Sequence, residues 1–426
     1  LLIQIVDITG IWGVNFLLLL PQTFVGAWLG DRWCGTFFTK GQPLFGNGGT
    51  SFPPGKPVMT EPRFASYISV HRIPVLIYVG LWLVTIVYGA VSLVTWNNAE
   101  PDRTWRVAAV QHNSDSWKGG YDQYKKNFNS MRRMSLEALR ENPDMVIWSE
   151  TAFVPSVSWH SNYPSDPRTA ALVDEFVAFG KSLPMPLLTG NPEGVLKDAD
   201  LPALLDNGNW NRMDYNGVLL FEDGQIKEQY RKQHLVPFTE HFPYEKQLPW
   251  LYNILLANDY NWWEKGEEST VFETGDGVRF STPICFEDVF GYLTARFVRE
   301  GADVIVNMTN DSWSQSVAAE VQHAAMAAFR SIETRRSTIR GTNSGITTVI
   351  TPTGRFVDSL PPFVETWHLF EVPVYTGASY GLTPYTRTGD APIRFISTAV
   401  VFFMAVAAFY QAGEKLLSIS RKNKKD

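Results

Sequence analysis

The run Ile73 to Trp96, IPVLIYVGLWLVTIVYGAVSLVTW, holds 24 residues without a charge. At about 1.5 Å per residue it is long enough to cross a hydrocarbon core of roughly 30 Å. A wholly buried core helix is the other structure such a run can form. Two further stretches read the same way. Leu1 to Gly30 carries one charge, Asp7, and its Pro21 and glycines point to one span plus an interfacial or kinked end. Phe395 to Ala412 is 18 residues long, near the lower limit for a span.

The flanks orient these spans. Between the first two lie Arg32, Lys40, Lys56, Arg63 and Arg72, and the chain ends SRKNKKD. Basic segments stay on the cytoplasmic side. The expected organisation is therefore a transmembrane or interfacial segment over 1–30, a cytoplasmic loop over 31–72 and a transmembrane helix over 73–96. A large block over 103–375 follows on the opposite side, then a transmembrane helix over 393–415 and a basic cytoplasmic tail over 416–426. In a bacterium the block would be periplasmic. The chain begins Leu-Leu-Ile rather than with methionine, which reads as a fragment or a processed product, and no secretory signal is visible.

Composition narrows the function. A net charge of −6 with no long basic run argues against a nucleic-acid partner. Fifteen tryptophans suit a membrane interface. The two cysteines, Cys34 and Cys285, are too far apart in sequence for a CxxC metal pair and too few for a disulfide framework. Neither a metal nor a cofactor is expected. Cys34 reads as inert, with lipidation as the alternative.

From Arg106 to about Val374, β-like runs (RVAAVQ, DMVIWSE, MPLLTGN, ADVIVNMTND) alternate with helical patterns over 121–141, 167–182 and 317–336. The last places Ala318, Val321, Ala325, Ala328, Phe329 and Ile332 on one face, with Arg330, Glu333 and Arg336 elsewhere. Asn216-Gly217, Asp223-Gly224 and Pro352 to Gly354 read as hairpin turns. This mixture indicates an α/β or α+β sandwich with mixed strands.

Chemistry collects where strands end. MVIWSE runs into Glu150, YRKQHLVPFTE puts Lys232 just past a strand with Glu240 eight residues on, and FSTPICFE ends at Cys285 before a helix expected over 288–300. Singly these are a solvated acid, a surface cation and a small core residue. Together they make one site: a thiol, a base for its proton and a cation for an oxyanion. A nearby ammonium and a following helix N-terminus would both favour thiolate. His234 and His241 lack metal-ligand spacing. Asn307-Met-Thr309 is a glycosylation sequon, incidental in what reads as a buried strand.

The order Glu, Lys, Cys in these contexts resembles the nitrilase superfamily. VAAVQHN, VIWSETA, RKQHLVPFTEHFP, ICFED, VNMTNDSW, QHAAMAAFRSIETRR and TNSGITTVI resemble, within it, the apolipoprotein N-acyltransferase family of bacterial membrane enzymes. The resemblance implies a nitrilase-like α-β-β-α sandwich flanked by transmembrane helices. It implies Glu150 as general base, Lys232 as catalytic lysine and Cys285 as acylated nucleophile. Glu240 and Glu287 match supporting carboxylates, and Trp117 matches a tryptophan near the substrate entrance. Phe286 stands where the family often has tyrosine, leaving its backbone N–H for the oxyanion. NDSWSQS departs from the usual Asn-Asp-Ala-Trp-Phe-Gly, and the N-terminal membrane part is short for the family.

The implied reaction moves an acyl chain from a phospholipid, through a cysteine thioester, to the N-terminal amine of a diacylglyceryl-cysteine apolipoprotein. It would take place at the bacterial inner membrane. LPWLYNILLANDYNWWEKG, residues 248–266, reads as a lid at the bilayer surface, with Trp250, Trp262 and Trp263 contacting lipid; a buried helix is the alternative. Two competing functions stand beside this one. A membrane-tethered amidase of the nitrilase type would hydrolyse a small amide. A non-catalytic membrane receptor or scaffold would use the same fold.

Overall fold

The computed structural model describes residues 1–37, 68, 71–164, 166–258 and 262–422. Most of the expected loop over 31–72, Tyr260 in the aromatic segment and the last four residues of the tail lie outside them.

Two six-stranded sheets form the centre. The first runs in the order Thr366–Val374, Arg103–Gln111, Met145–Ile147, Leu187–Gly190, Gly217–Glu222, Gln225–Arg231. The second runs Phe356–Val357, Thr348–Ile350, Ser337–Thr342, Val304–Thr309, Arg279–Ser281, Phe272–Glu273. In each, three adjacent strands are parallel and the outer pairings are antiparallel. A smaller sheet joins Glu193–Leu196, Arg212–Tyr215 and Trp263–Glu264.

The two-residue period of a strand sets the layers. Along Arg103–Gln111, Val107 and Ala109 pack with Val304, Val306, Met308 and Ile339 of the second sheet. Ala108 and Val110 face the other way, onto Phe128 and Met131 of the helix Tyr121–Ala138 and Phe176 of the helix Pro167–Ser182. On the far side, the helix Val317–Thr334 packs Ala327 and Ala328 against Ile350. The architecture is an α-β-β-α sandwich. Pro167–Ser182 has the bounds its sequence predicts, because Asp166 caps the Arg168 and Thr169 N–H groups and Pro167 opens the first turn.

Three local expectations fail. Asn216-Gly217 makes no hairpin, since the chain there leaves the small sheet for the first large one. Only the Asp223-Gly224 pair turns a hairpin in that stretch. The helix expected over 288–300 starts late. A 3-10 turn spans Cys285–Val289, and the helix Gly291–Arg299 begins after it. In Val317–Thr334 only the second half of the expected face is turned in, with Ala328 and Ile332 buried and Ala318 exposed. Val321 is about half exposed and Ala325 is exposed, while Glu320, Ala324, Arg330 and Glu333 are buried. Arg330 and Glu333 pair with each other at 2.7 Å and Glu320 accepts from Ser314 Oγ at 3.2 Å, so polar partners rather than apolar patterning fill these buried positions.

Two described helices, Arg72–Asn97 and Ala391–Lys422, contain stretches long and apolar enough to cross a membrane. In their apolar windows only 11% and 0% of residues are buried, whereas a soluble core helix would be mostly buried. The N-terminal stretch divides. Leu2–Ile5 and Val6–Thr9 are short turns docked on the sandwich, with Val6 packed on Ile332. The long helix, Ile11–Phe37, starts only at Ile11.

Arg335 fixes this docking. Its guanidinium donates to Asp7 at 2.6 Å, Gln4 at 2.7 Å, Ser92 at 2.7 Å and the Pro352 carbonyl at 2.9 Å, tying the first turns and the 72–97 helix to one point. Glu333 accepts the Ile11 N–H, and Trp12 donates to Asp390, where the C-terminal helix begins. All three apolar helices are thus rooted together.

Candidate active site

Glu150 follows the strand Met145–Ile147 and is buried. Its approach requires Gly190 on the neighbouring strand, where a Cβ would fall 2.3 Å from the Thr151 nitrogen. Oε1 accepts from Asn216 Nδ2 at 2.7 Å and Lys232 Nζ at 3.2 Å, and Oε2 accepts the Asn310 N–H at 2.9 Å. Burial raises the Glu150 pKa, with Lys232 opposing and Glu240 adding to the rise. A carboxyl so placed can hold a proton as well as take one.

Lys232 leaves the strand Gln225–Arg231 and is fully buried between two carboxylates. Nζ donates to Glu240 Oε1 at 2.7 Å as well as to Glu150. Burial works against the ammonium, yet Glu150, Cys285 and Glu240 outweigh it and hold the pKa above its ordinary value. Glu240 Oε2 in turn accepts the Val236 N–H at 2.8 Å, which folds the proline-broken loop back on the lysine.

Cys285 begins the 3-10 turn with φ of 49°, a left-handed backbone that costs a non-glycine residue of order 1 kcal/mol or more. Cys285 and Phe286 open the turn, where N–H groups have no acceptor within it. Burial and the Glu150 charge push the thiol pKa up, and Lys232 pulls it back. Burial thus works against the thiolate that the lysine favours.

Glu287 is buried beneath the pocket. It accepts from Tyr230 Oη at 2.9 Å and from the N–H groups of Gln233 at 2.6 Å, His234 at 3.0 Å and Ile284 at 2.8 Å. Trp117 is 75% exposed, one residue from Ser116, which donates to Asn310 Oδ1 at 3.0 Å.

The aromatic segment forms two elements. The helix Pro249–Leu256 has no buried residue, and its Trp250 and Ile254 are 62% and 52% exposed. It stacks Tyr252 on Phe242, two residues from Glu240. Trp263 lies in the small sheet and donates its N–H to the Glu240 carbonyl at 2.9 Å, while Trp262 packs on Phe242.

Sequence reasoning missed Asn216 and Asn310. Asn216 was hidden in a turn-like Asn-Gly pair. Asn310 ends the strand Val304–Thr309, so the strand-end rule that singled out Glu150 applies to it equally.

Sandwich and site define the class. The chain belongs to the carbon-nitrogen hydrolase family, whose model matches residues 106–404. Within it the chain groups with the apolipoprotein N-acyltransferases. It is 35% identical over 398 residues to Apolipoprotein N-acyltransferase 1 of Treponema denticola, covering 92% of this chain and 67% of that one. It is 38% identical over 348 residues to Apolipoprotein N-acyltransferase 1 of Treponema pallidum, covering 80% and 62%. The chain thus spans about two thirds of the length of these relatives. Among solved structures, an amidase from Nesterenkonia sp. aligns with a TM-score of 0.43 at 13% identity, over 68% of this chain and 95% of that one.

Proposed function

We propose that the protein transfers an acyl chain from a phospholipid, through a thioester on Cys285, to the N-terminal amine of a diacylglyceryl-cysteine apolipoprotein. Glu150, Lys232 and Cys285 act as the catalytic triad. The observation that carries this reading is an exposed apolar helix, Pro249–Leu256, fastened through Tyr252 and Phe242 beside Glu240, which grips the buried lysine. An amidase for small amides gains nothing from such a surface, whereas a lipid ester must be lifted from a bilayer.

The steps follow from the residues. Glu150 takes the Cys285 proton as Sγ attacks the ester carbonyl. The Lys232 ammonium and the Phe286 N–H face the oxyanion, each such donor being worth about 10²–10³ in rate. Collapse breaks the ester C–O bond, and the lysophospholipid oxygen takes the proton back from Glu150. The raised Glu150 pKa suits this acid role. In the second half the acceptor amine gives Glu150 a proton and attacks the thioester, the C–S bond breaks as the amide forms, and Glu150 returns that proton to the leaving Cys285 sulfur.

The nearly unburied helices Arg72–Asn97 and Ala391–Tyr410 support a multi-pass membrane enzyme. The basic flanks favour the block over 103–375 on the periplasmic side of the inner membrane. Incubation of the purified protein with acyl-labelled phospholipid tests the function. A labelled thioester discharged by an apolipoprotein is the expected result. Release of free acid from a small amide, with no acyl-enzyme formed from phospholipid, would replace this reading with the amidase one.

A further inference from the structure

One buried titratable cluster beside Cys285 has no part in the mechanism above. The Cys285 sulfur, an Asp311 carboxylate oxygen and a His323 ring nitrogen all lie within 4.8 Å of one another. His323 Nδ1 sits 2.7 Å from Asp311 Oδ1, and Nε2 lies 3.2 Å from Asp288 Oδ1, off the hydrogen-bond axis. Arg340 occupies the remaining oxygens, reaching Asp288 Oδ2 at 2.8 Å and Asp311 Oδ2 at 2.9 Å.

Three such ligand types close together suggest a metal, but the donors do not fit one. With Asp311 at Nδ1 and the Asp288 carboxylate 3.2 Å from Nε2, the two acids favour a ring protonated on both nitrogens, which has no lone pair for a cation. Burial and Arg340 oppose that charge, yet Asp288 and Asp311 prevail and lift the His323 pKa to about 9. Arg340 and Lys232 add two further positive charges around the sulfur.

The cluster balances only when His323 is charged. Asp311 and Asp288 are then matched by Arg340 and His323. With a neutral ring, one negative charge is left over beside the sulfur, where Asp311, Glu150 and Glu240 already disfavour a thiolate. We propose that His323, held as an imidazolium between Asp311 and Asp288, is a positioning cation that stabilises the Cys285 thiolate independently of Lys232. This rests on Cys285 being the nucleophile and adds a second device for making its thiolate.

The groups facing His323 are Asp311 from the loop after Val304–Thr309, Asp288 and Cys285 from the 3-10 turn, Arg340 from Ser337–Thr342, and Glu320 on its own helix. Glu320 is pushed up to about 8 by burial and by Asp311, so it titrates in the same range and needs to be silenced in a test.

The test follows alkylation of Cys285 by iodoacetamide in the full chain, in detergent, from pH 6 to 10.5, in a Glu320→Gln background, by mass spectrometry of the peptide. His323→Gln keeps a donor toward Asp311 without the charge. It should slow alkylation about tenfold at pH 7.5 and move the midpoint up by about one unit. A folded His323→Gln protein whose profile superimposes on its parent would overturn the proposal. If that variant does not fold, the parent profile decides. A flattening near pH 9, where the imidazolium discharges, supports the proposal, and a single ionisation throughout overturns it. Alkylation needs no lipid, so a His323 effect without acyl-enzyme formation would sink the acyltransferase reading alone.

Discussion

Glu287 Oε1 accepts the Gln233 N–H at 2.6 Å, and through that bond the turn carrying Cys285 is locked to the loop carrying Lys232. The same carboxylate takes the Ile284 and His234 N–H groups and the Tyr230 hydroxyl. It fixes sulfur and ammonium relative to each other from outside the pocket.

Glu287→Gln should therefore cost stability and chemistry together. An amide turns N–H donors toward N–H donors in a buried site, at a cost of about 3 kcal/mol. Thermal unfolding should show the loss, and Cys285 alkylation should slow in the protein that remains folded. A drop in melting temperature with alkylation unchanged would make Glu287 a stability residue only.

Cys285→Ala and Cys285→Ser should fold and insert normally yet carry no acyl group after exposure to phospholipid. Glu150→Gln should keep the fold and slow acyl-enzyme formation about 10²–10⁴-fold. Mass spectrometry of the peptide spanning 282–290 reads both. An adduct that survives Cys285→Ala, or that maps to Cys34, removes Cys285 from the mechanism.

Glu320 gives stability a pH dependence of known sign. Its folded pKa, about 8, lies above the ordinary carboxylate value of about 4.3, so the protonated form favours the fold. That contribution is complete below pH 4.3 and is lost as pH rises through 8. Glu320→Gln, which cannot ionise, should gain stability on the parent between pH 5 and pH 9. With solvent screening the gain is of order 1–2 kcal/mol. Urea melts at the two pH values check it, and a constant difference between the proteins contradicts it.

Exposed Trp250 and Ile254 should govern access of lipid rather than chemistry. Changing both to alanine removes apolar area that is largely exposed. Turnover on phospholipid vesicles should fall at least tenfold, while alkylation of Cys285 by a soluble reagent stays within twofold. Equal losses would point to a core defect.

Asp206 is exposed in the catalytic block, so Asp206→Cys reports which side of the membrane that block occupies. A membrane-impermeant maleimide should label it in spheroplasts before lysis. Labelling only after lysis would place the block in the cytoplasm.

Sequence by itself determined the sandwich, since strand and helix periods are local and each apolar face demands a partner layer. It also marked Glu150, Lys232 and Cys285, because a charged or nucleophilic residue at the end of an apolar strand breaks a pattern visible in one dimension. Tertiary structure decided what surrounds them. Asn216 and Asn310 reach Glu150 from strands 66 and 160 residues away in sequence, and His323 reaches Cys285 from a helix whose pattern pointed its apolar face inward. That helix buries Arg330 and Glu333 as a pair with each other, and distant segments complete them: Arg330 also donates to the Asp288 and Val289 carbonyls and Glu333 accepts the Ile11 N–H. Periodicity counts apolar residues along one element. It has no term for a charge whose partner is brought in by the fold.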